Sequence, residues 1–320
     1  RRMKKHIFIT GGNGFIGSHI VRELLNQNMN VTCLVRSTSL TENIDGLPVN
    51  IVYGDITDLN RMKELIKGYH AVIHNAGLVN DWSGFHVFYR VNVTGTETVM
   101  EACLANRIKQ IILTGSTSCY GEEHSLIVKD ESWAGSSHYR YLFDRYFPCR
   151  LNYYKDTKAE AVRKAIDFAR KYRMNLMVID PSFVYGEREF SSGFYEYLRS
   201  VKDGIPIVPG SKHNRFPVIY AGDLAKAYYA ALHRKPKGVH RIIVTNPKTV
   251  KMDYKRLTAP CGRDCFNCYF YLASQNEKYK TALAKKTGIK PEKVICQGCR
   301  EIDGKCQILK NYGFSGNCKI

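Results

Sequence analysis

Two rhythms of apolar residues alternate along the first 245 positions of the chain. Short unbroken apolar runs, His6 to Ile9, Val31 to Val35, Val49 to Tyr53, Ala71 to His74, Gln110 to Thr114 and Leu176 to Asp180, read as strands buried on both faces, where no polar alternation is needed. Between them, Phe15 to about Gln27, Leu59 to Lys67, Val91 to Ala105 and Tyr153 to Tyr172 repeat apolar positions at the spacing of a helix with one buried side. Strand and helix taking turns predicts an α/β fold, a Rossmann-type doubly wound parallel sheet with helices on both faces. From about Pro181 the pattern loosens. Phe194 to Lys202 and Asp223 to His233 look helical, Ile205 to Gly210 is a turn-bounded extended piece, and Arg241 to Thr245 is a last strand. We read residues 1–250 as one domain, its small substrate lobe mainly at 181–240, and the polar, basic stretch Pro247 to Leu257 as a linker. A small second domain follows at 258–320.

With 320 residues, 44% of them apolar, the chain can bury a large core and still carry a smaller domain. The formal charge of +19 raises the question of nucleic acid, but Lys and Arg are scattered rather than gathered in a stripe. They suit a solvated surface tolerant of anionic substrates better than a phosphate-tracking groove. No apolar run approaches the roughly 18 residues of a membrane span, so the expectation is a cytoplasmic protein without membrane association.

The glycine turn Thr10-Gly11-Gly12-Asn13-Gly14-Phe15-Ile16-Gly17 stands where the first strand hands over to a helix whose free N–H groups can hold a pyrophosphate. Gly11 permits the tight turn, Gly14 lets the backbone approach phosphate, and Gly17 lets the helix pack closely. Further on, Tyr154 and Lys158 lie four residues apart, on one face of a helix. An ammonium beside a phenol favours the phenolate and suits the Tyr to proton exchange near neutrality. Ser116, just past the fifth strand, offers a hydroxyl for a substrate oxygen, with Thr117 and Ser118 as rivals.

These stretches occur in order with Gly54-Asp55-Ile56-Thr57-Asp58, His74-Asn75-Ala76-Gly77, Val91 to Thr96 and Pro181-Ser182-Phe183-Val184-Tyr185-Gly186. Together they resemble an extended short-chain dehydrogenase/reductase over roughly residues 4 to 247, the superfamily of nucleotide-sugar epimerases and dehydratases and of dihydroflavonol reductases. The resemblance implies a catalytic triad of Ser116, Tyr154 and Lys158. It implies a cofactor site at Thr10, Gly11, Gly14, Phe15, Ile16 and Gly17, with Asp55 and Ile56 beside the adenine, Ala76 lining the cleft, Tyr154, Lys158, Pro181 and Val184 near the nicotinamide, and Asn92 in support, unless Asn92 merely caps its helix. Asn75 and Gly77 depart from the His-Leu-Ala-Ala that is usual there. At the end of the second strand no acidic residue awaits a ribose; Val35 is followed by Arg36, which can pair with a 2′-phosphate, so NADP is expected over NAD.

Of eleven cysteines, seven fall late: Cys261, Cys265, Cys268, Cys296, Cys299, Cys306 and Cys318. The segment resembles a small cysteine-rich family of unknown function that opens Ala-Pro-Cys-Gly. Its short Cys-x-x-Cys spacings predict an all-thiolate metal site, zinc first and an iron–sulfur cluster second, with disulfides as the alternative. The expected function is an NAD(P)-dependent oxidoreductase or epimerase that moves hydride to or from a carbonyl or carbinol carbon of a small molecule or nucleotide-sugar. A nucleotide-binding sensor coupled to a metal domain is the alternative, and a homodimer is left open.

Overall fold

The computed structural model describes residues 5–80, 83–121, 129–133, 136–138, 150–189, 215–246, 250–251 and 281. The helix expected at Phe194 to Lys202, the extended piece at Ile205 to Gly210 and all seven late cysteines lie outside them. The chain divides into two compact units, Arg1–Arg188 with Pro217–Pro247, and Glu189–Phe216 with Lys248–Ile320.

In the first unit, strands β1 (His6–Thr10), β2 (Asn30–Val35), β3 (Asn50–Tyr53), β4 (Ala71–His74), β5 (Ile111–Thr114), β6 (Leu176–Pro181) and β10 (Val239–Val244) form one sheet in the order β10-β6-β5-β4-β1-β2-β3. Every pairing in it is parallel. The helices are α1 (Phe15–Asn26), α2 (Leu59–Leu65), α3 (Phe85–Phe88), α4 (Gly95–Ala105), α5 (Arg150–Lys171) and α6 (Ala221–Arg234), with a π-helix at Tyr89–Thr94 and a 3₁₀ turn at Thr117–Tyr120. Short strands β7 (Phe183–Tyr185) and β9 (Val218–Tyr220) pair in parallel beside the main sheet.

Alternate residues of one strand serve opposite faces. Ile7 and Ile9 enter a core with Ile20, Leu24, Ile112, Ile179, Leu224 and Tyr228, while Phe8 between them packs with Met62, Val99, Val162 and Val178. Both faces are apolar, which is why the strand reads as a continuous apolar run. The pattern places Asp223 to His233 in a substrate lobe; in the structure the helix there lies on α1, with Leu224, Ala225, Tyr228 and Leu232 buried in the sheet's core. The last strand likewise joins the main sheet beside β6. The described residues of the second unit include the antiparallel pair β8 (Arg215–Phe216) and β11 (Val250–Lys251). Among the described residues no helix is long and apolar enough to cross a membrane.

Candidate active site

All strands of the sheet run the same way, so the turns after β1, β4 and β5 meet at its carboxyl edge. After β1, Gly11 adopts a φ of +69°; a side-chain carbon there would stand 2.8 Å from the Ala76 Cα. At Gly17 such an atom would collide with the Gly11 carbonyl oxygen. The first turn of α1 therefore sits directly on the glycine turn. It has neither a capping side chain nor an acidic residue, which leaves its N–H groups to an anion.

His74 ends β4, almost wholly buried. The Thr10 hydroxyl accepts from the Ala76 N–H at 3.1 Å and lies 2.7 Å from His74 Nδ1. On the other side, Thr96 Oγ1 is 3.1 Å from His74 Nε2 and donates to the Asn92 carbonyl at 2.6 Å. Only one proton arrangement satisfies every atom: Thr10 donates to Nδ1, and Nε2–H donates to Thr96. The imidazole is thus neutral, and burial, followed by the charge of Lys158, lowers its pKa to about 3. Next to it, Asn75 donates to the Gly11 carbonyl at 3.3 Å and accepts from the Thr114 hydroxyl at 3.0 Å.

After β5 comes the serine turn. The Ser116 side chain caps the 3₁₀ turn, accepting from the Ser118 N–H at 3.2 Å, and the two serine hydroxyls are 2.8 Å apart. Thr117 Oγ1 donates instead to the Pro181 carbonyl at 3.2 Å. Of the three hydroxyls, that of Ser116 bonds to the Tyr154 side chain. Lys158, one turn along α5 and buried, donates from Nζ to the Thr114 carbonyl at 2.7 Å. The structure therefore brings Ser116, Tyr154 and Lys158 together, beside Gly77, where an added Cβ would lie 3.8 Å from Lys158 Nζ.

The electrostatics differ from the expectation drawn from spacing alone. Burial pushes the Tyr154 phenol up to about 12, against the opposing pull of the Ser116 hydrogen bond. Burial also lowers Lys158. Desolvation of both charged forms outweighs the attraction expected from a four-residue spacing, and the ammonium is spent on a carbonyl.

Asn92 lies inside the π-helix, where it caps nothing. Its Oδ1 accepts from the Leu78 N–H at 2.7 Å and its Nδ2 donates to Thr157 Oγ1 at 3.1 Å, which ties the turn after β4 to α5. At the other end of the edge, Val35 is buried and Arg36 exposed, with Arg36 Nε donating to Ser39 Oγ at 3.3 Å. Burial pulls Asp55 upward, but hydrogen bonds from the Thr57 N–H and hydroxyl, then the charges of Arg36 and Arg90, hold it below the usual carboxylate range. Ile56 packs into the core beside Phe8, Pro181 ends β6 and Val184 sits in β7. The metal expected at the seven late cysteines falls outside the described residues. Among the described ones no group of three His, Cys, Asp or Glu side chains is placed to hold a metal, and Cys33, Cys103 and Cys119 are buried free thiols.

Sequence reasoning passed over Asp180 and Arg241, which pack against the serine turn, and Tyr120, which closes it. One signal was readable: a lone carboxylate closing the apolar run Leu176 to Ile179.

Residues 7–245 match the NAD dependent epimerase/dehydratase family, and residues 257–320 match a family described as a protein of unknown function (DUF3795). The first match spans most of the chain, which therefore belongs to the NAD dependent epimerase/dehydratase family. Among individual relatives, 3 beta-hydroxysteroid dehydrogenase type 7 of Mus musculus is 28% identical over 239 residues, covering 68% of this chain and 60% of the relative. The chain spans about half the length of the curated relatives it matches. The fold is shared with the UDP-glucose 4-epimerase of Thermotoga maritima, solved with UDP-glucose, at a TM-score of 0.65 and 19% identity over 79% of this chain and 81% of that one. It is shared also with the UDP-glucose 4-epimerase of Thermus thermophilus, solved with NAD, at a TM-score of 0.61 and 22% identity over 74% of this chain and 77% of that one.

Proposed function

We propose that the chain is a nicotinamide-dependent oxidoreductase or epimerase acting at a carbonyl or carbinol carbon of a nucleotide-sugar or other small molecule. The observation that carries this reading is the meeting of Ser116, Tyr154 and Lys158 beside the glycine turn. That turn fits a dinucleotide: Gly11 and Gly17 let its backbone fold tightly against Ala76 and α1, and the uncapped N-terminus of α1 would hold the pyrophosphate. The nicotinamide, when bound, supplies the acceptor or donor of hydride.

The residues of the chain do the rest. Ser116 orients the substrate oxygen, and Tyr154 gives that oxygen a proton or takes one from it. Lys158, held on the Thr114 carbonyl, also binds the nicotinamide ribose. Arg36, exposed at the end of β2, favours NADP through a 2′-phosphate contact, whereas the Thermus relative was solved with NAD. Of the seven late cysteines, the pairs Cys265 with Cys268 and Cys296 with Cys299 supply a four-thiolate site for zinc or an iron–sulfur cluster.

The test titrates the full chain with NAD and NADP, then follows cofactor absorbance with a panel of nucleotide-sugars, alcohols and ketones, using an added coupling enzyme for epimerisation. Tyr154→Phe should lower turnover by about 10² to 10⁴ with nucleotide affinity nearly unchanged. Wild-type turnover in that variant would move proton transfer to another residue, Tyr153 first. Arg36→Ala should weaken NADP and spare NAD; equal effects on both would refute the NADP preference.

A further inference from the structure

We propose that Asp180 is a positioning residue that fixes the serine turn, with Arg241 and Tyr120 as its partners, and so keeps the Ser116 hydroxyl on Tyr154. The proposal rests on the reading of Ser116 and Tyr154 given above. Asp180 is fully buried at the end of β6. Its Oδ1 accepts from the Ser116 N–H at 2.9 Å, and its Oδ2 accepts from the Tyr120 hydroxyl at 2.7 Å and from Arg241 Nε at 2.5 Å. One carboxylate thus grips both ends of the turn. Gly115 lies so close that any side chain there would collide with the carboxylate.

The placement follows from where the sheet stops. The ladder between β5 and β6 ends with the Gly115 N–H donating to the Ile179 carbonyl at 2.8 Å. Beyond it side chains take over: Asp180 receives Ser116, and Thr117 Oγ1 reaches the Pro181 carbonyl. Strand register supplies the counter-charge. Arg241 stands opposite Val178, two residues before Asp180 and on the same face. Its guanidinium also lies over the Tyr120 ring, 4.4 Å from the centroid.

A buried ion pair is a poor route to stability, because desolvation consumes most of what the attraction returns. Among the described residues, the buried Arg241 Nη2 has no hydrogen-bond partner, a further cost. What the arrangement supplies is geometry, since Asp180 accepts from donors that pin a five-residue turn at its first and last positions.

The experiment is a double-mutant cycle in the full chain, measured with the panel compound that turns over best. Asp180→Asn keeps the shape but removes the charge and one acceptor. It should lower kcat about tenfold or more with KM and nucleotide affinity within about twofold. Ser116→Ala should lower kcat further, and Asp180→Asn added to Ser116→Ala should cost almost nothing more, since residues acting through one another are not additive. If Asp180→Asn does not fold, Tyr120→Phe, which removes one donor and leaves the ion pair, should show the same non-additivity with a smaller loss. Additive losses, or wild-type kcat in Asp180→Asn while Ser116→Ala is impaired, would overturn the proposal alone. Wild-type turnover in Ser116→Ala would overturn the triad reading and this proposal with it.

Discussion

His74 is held as a neutral ring by two threonine hydroxyls, one on each nitrogen, and neither can easily accept a second proton. With its pKa lowered to about 3 in the fold, against an unfolded value near 6.5, the unfolded chain binds the proton first as pH falls. Stability from this site is therefore complete above about pH 6.5 and drains away below it, by about 1.4 kcal/mol per pH unit until the folded pKa is reached. Urea unfolding at pH 7.5 and pH 5.0 should differ by on the order of 2 kcal/mol from His74. His74→Gln should be less stable at pH 7.5 yet show a flatter dependence; an unchanged slope would assign the acid sensitivity elsewhere. Tyr154 was only half legible for a related reason. Its neighbours Lys158 and Ser116 could be named from spacing and motif, but the balance of burial over attraction belongs to the folded environment.

Among the elements, the glycine turn and α1 were the most readable, because a tight turn and a close helix leave glycine as the residue that fits. Gly17→Ala places a methyl against the Gly11 carbonyl oxygen. We expect it to destabilise the fold by about 1–3 kcal/mol and to weaken nucleotide binding about tenfold or more, read by thermal unfolding and nucleotide titration. Normal affinity would mean that the turn yields without consequence. The segment Val91 to Ala105 was less readable. Its apolar spacing predicts one α-helix, whereas the chain forms a π-helix at Tyr89–Thr94 before α4. Each π turn holds extra backbone, which the 3.6-residue rhythm does not record. Asn92 on that turn meets both Leu78 and Thr157.

At the scale of the whole molecule, the seven cysteines beyond residue 258 follow in sequence the residues that match the NAD dependent epimerase/dehydratase family. In general, a domain of about 60 residues buries a small core and gains most from a metal staple. Anaerobically purified protein should carry about one metal equivalent per chain, and chelation should expose residues beyond 258 to protease while sparing nucleotide binding. A metal-free preparation with equal protease resistance would sink the idea. By itself the sequence determined the alternation of strand and helix, the glycine turn and the four-residue spacing of Tyr154 and Lys158 on one helix, since each is written in covalent spacing. Tertiary structure decided that α6 and β10 complete the sheet unit, which of three adjacent hydroxyls meets Tyr154, and that Asp180 finds Arg241 across 61 residues. Those outcomes depend on strand order and on desolvation, and both come into being only when distant segments close over one another.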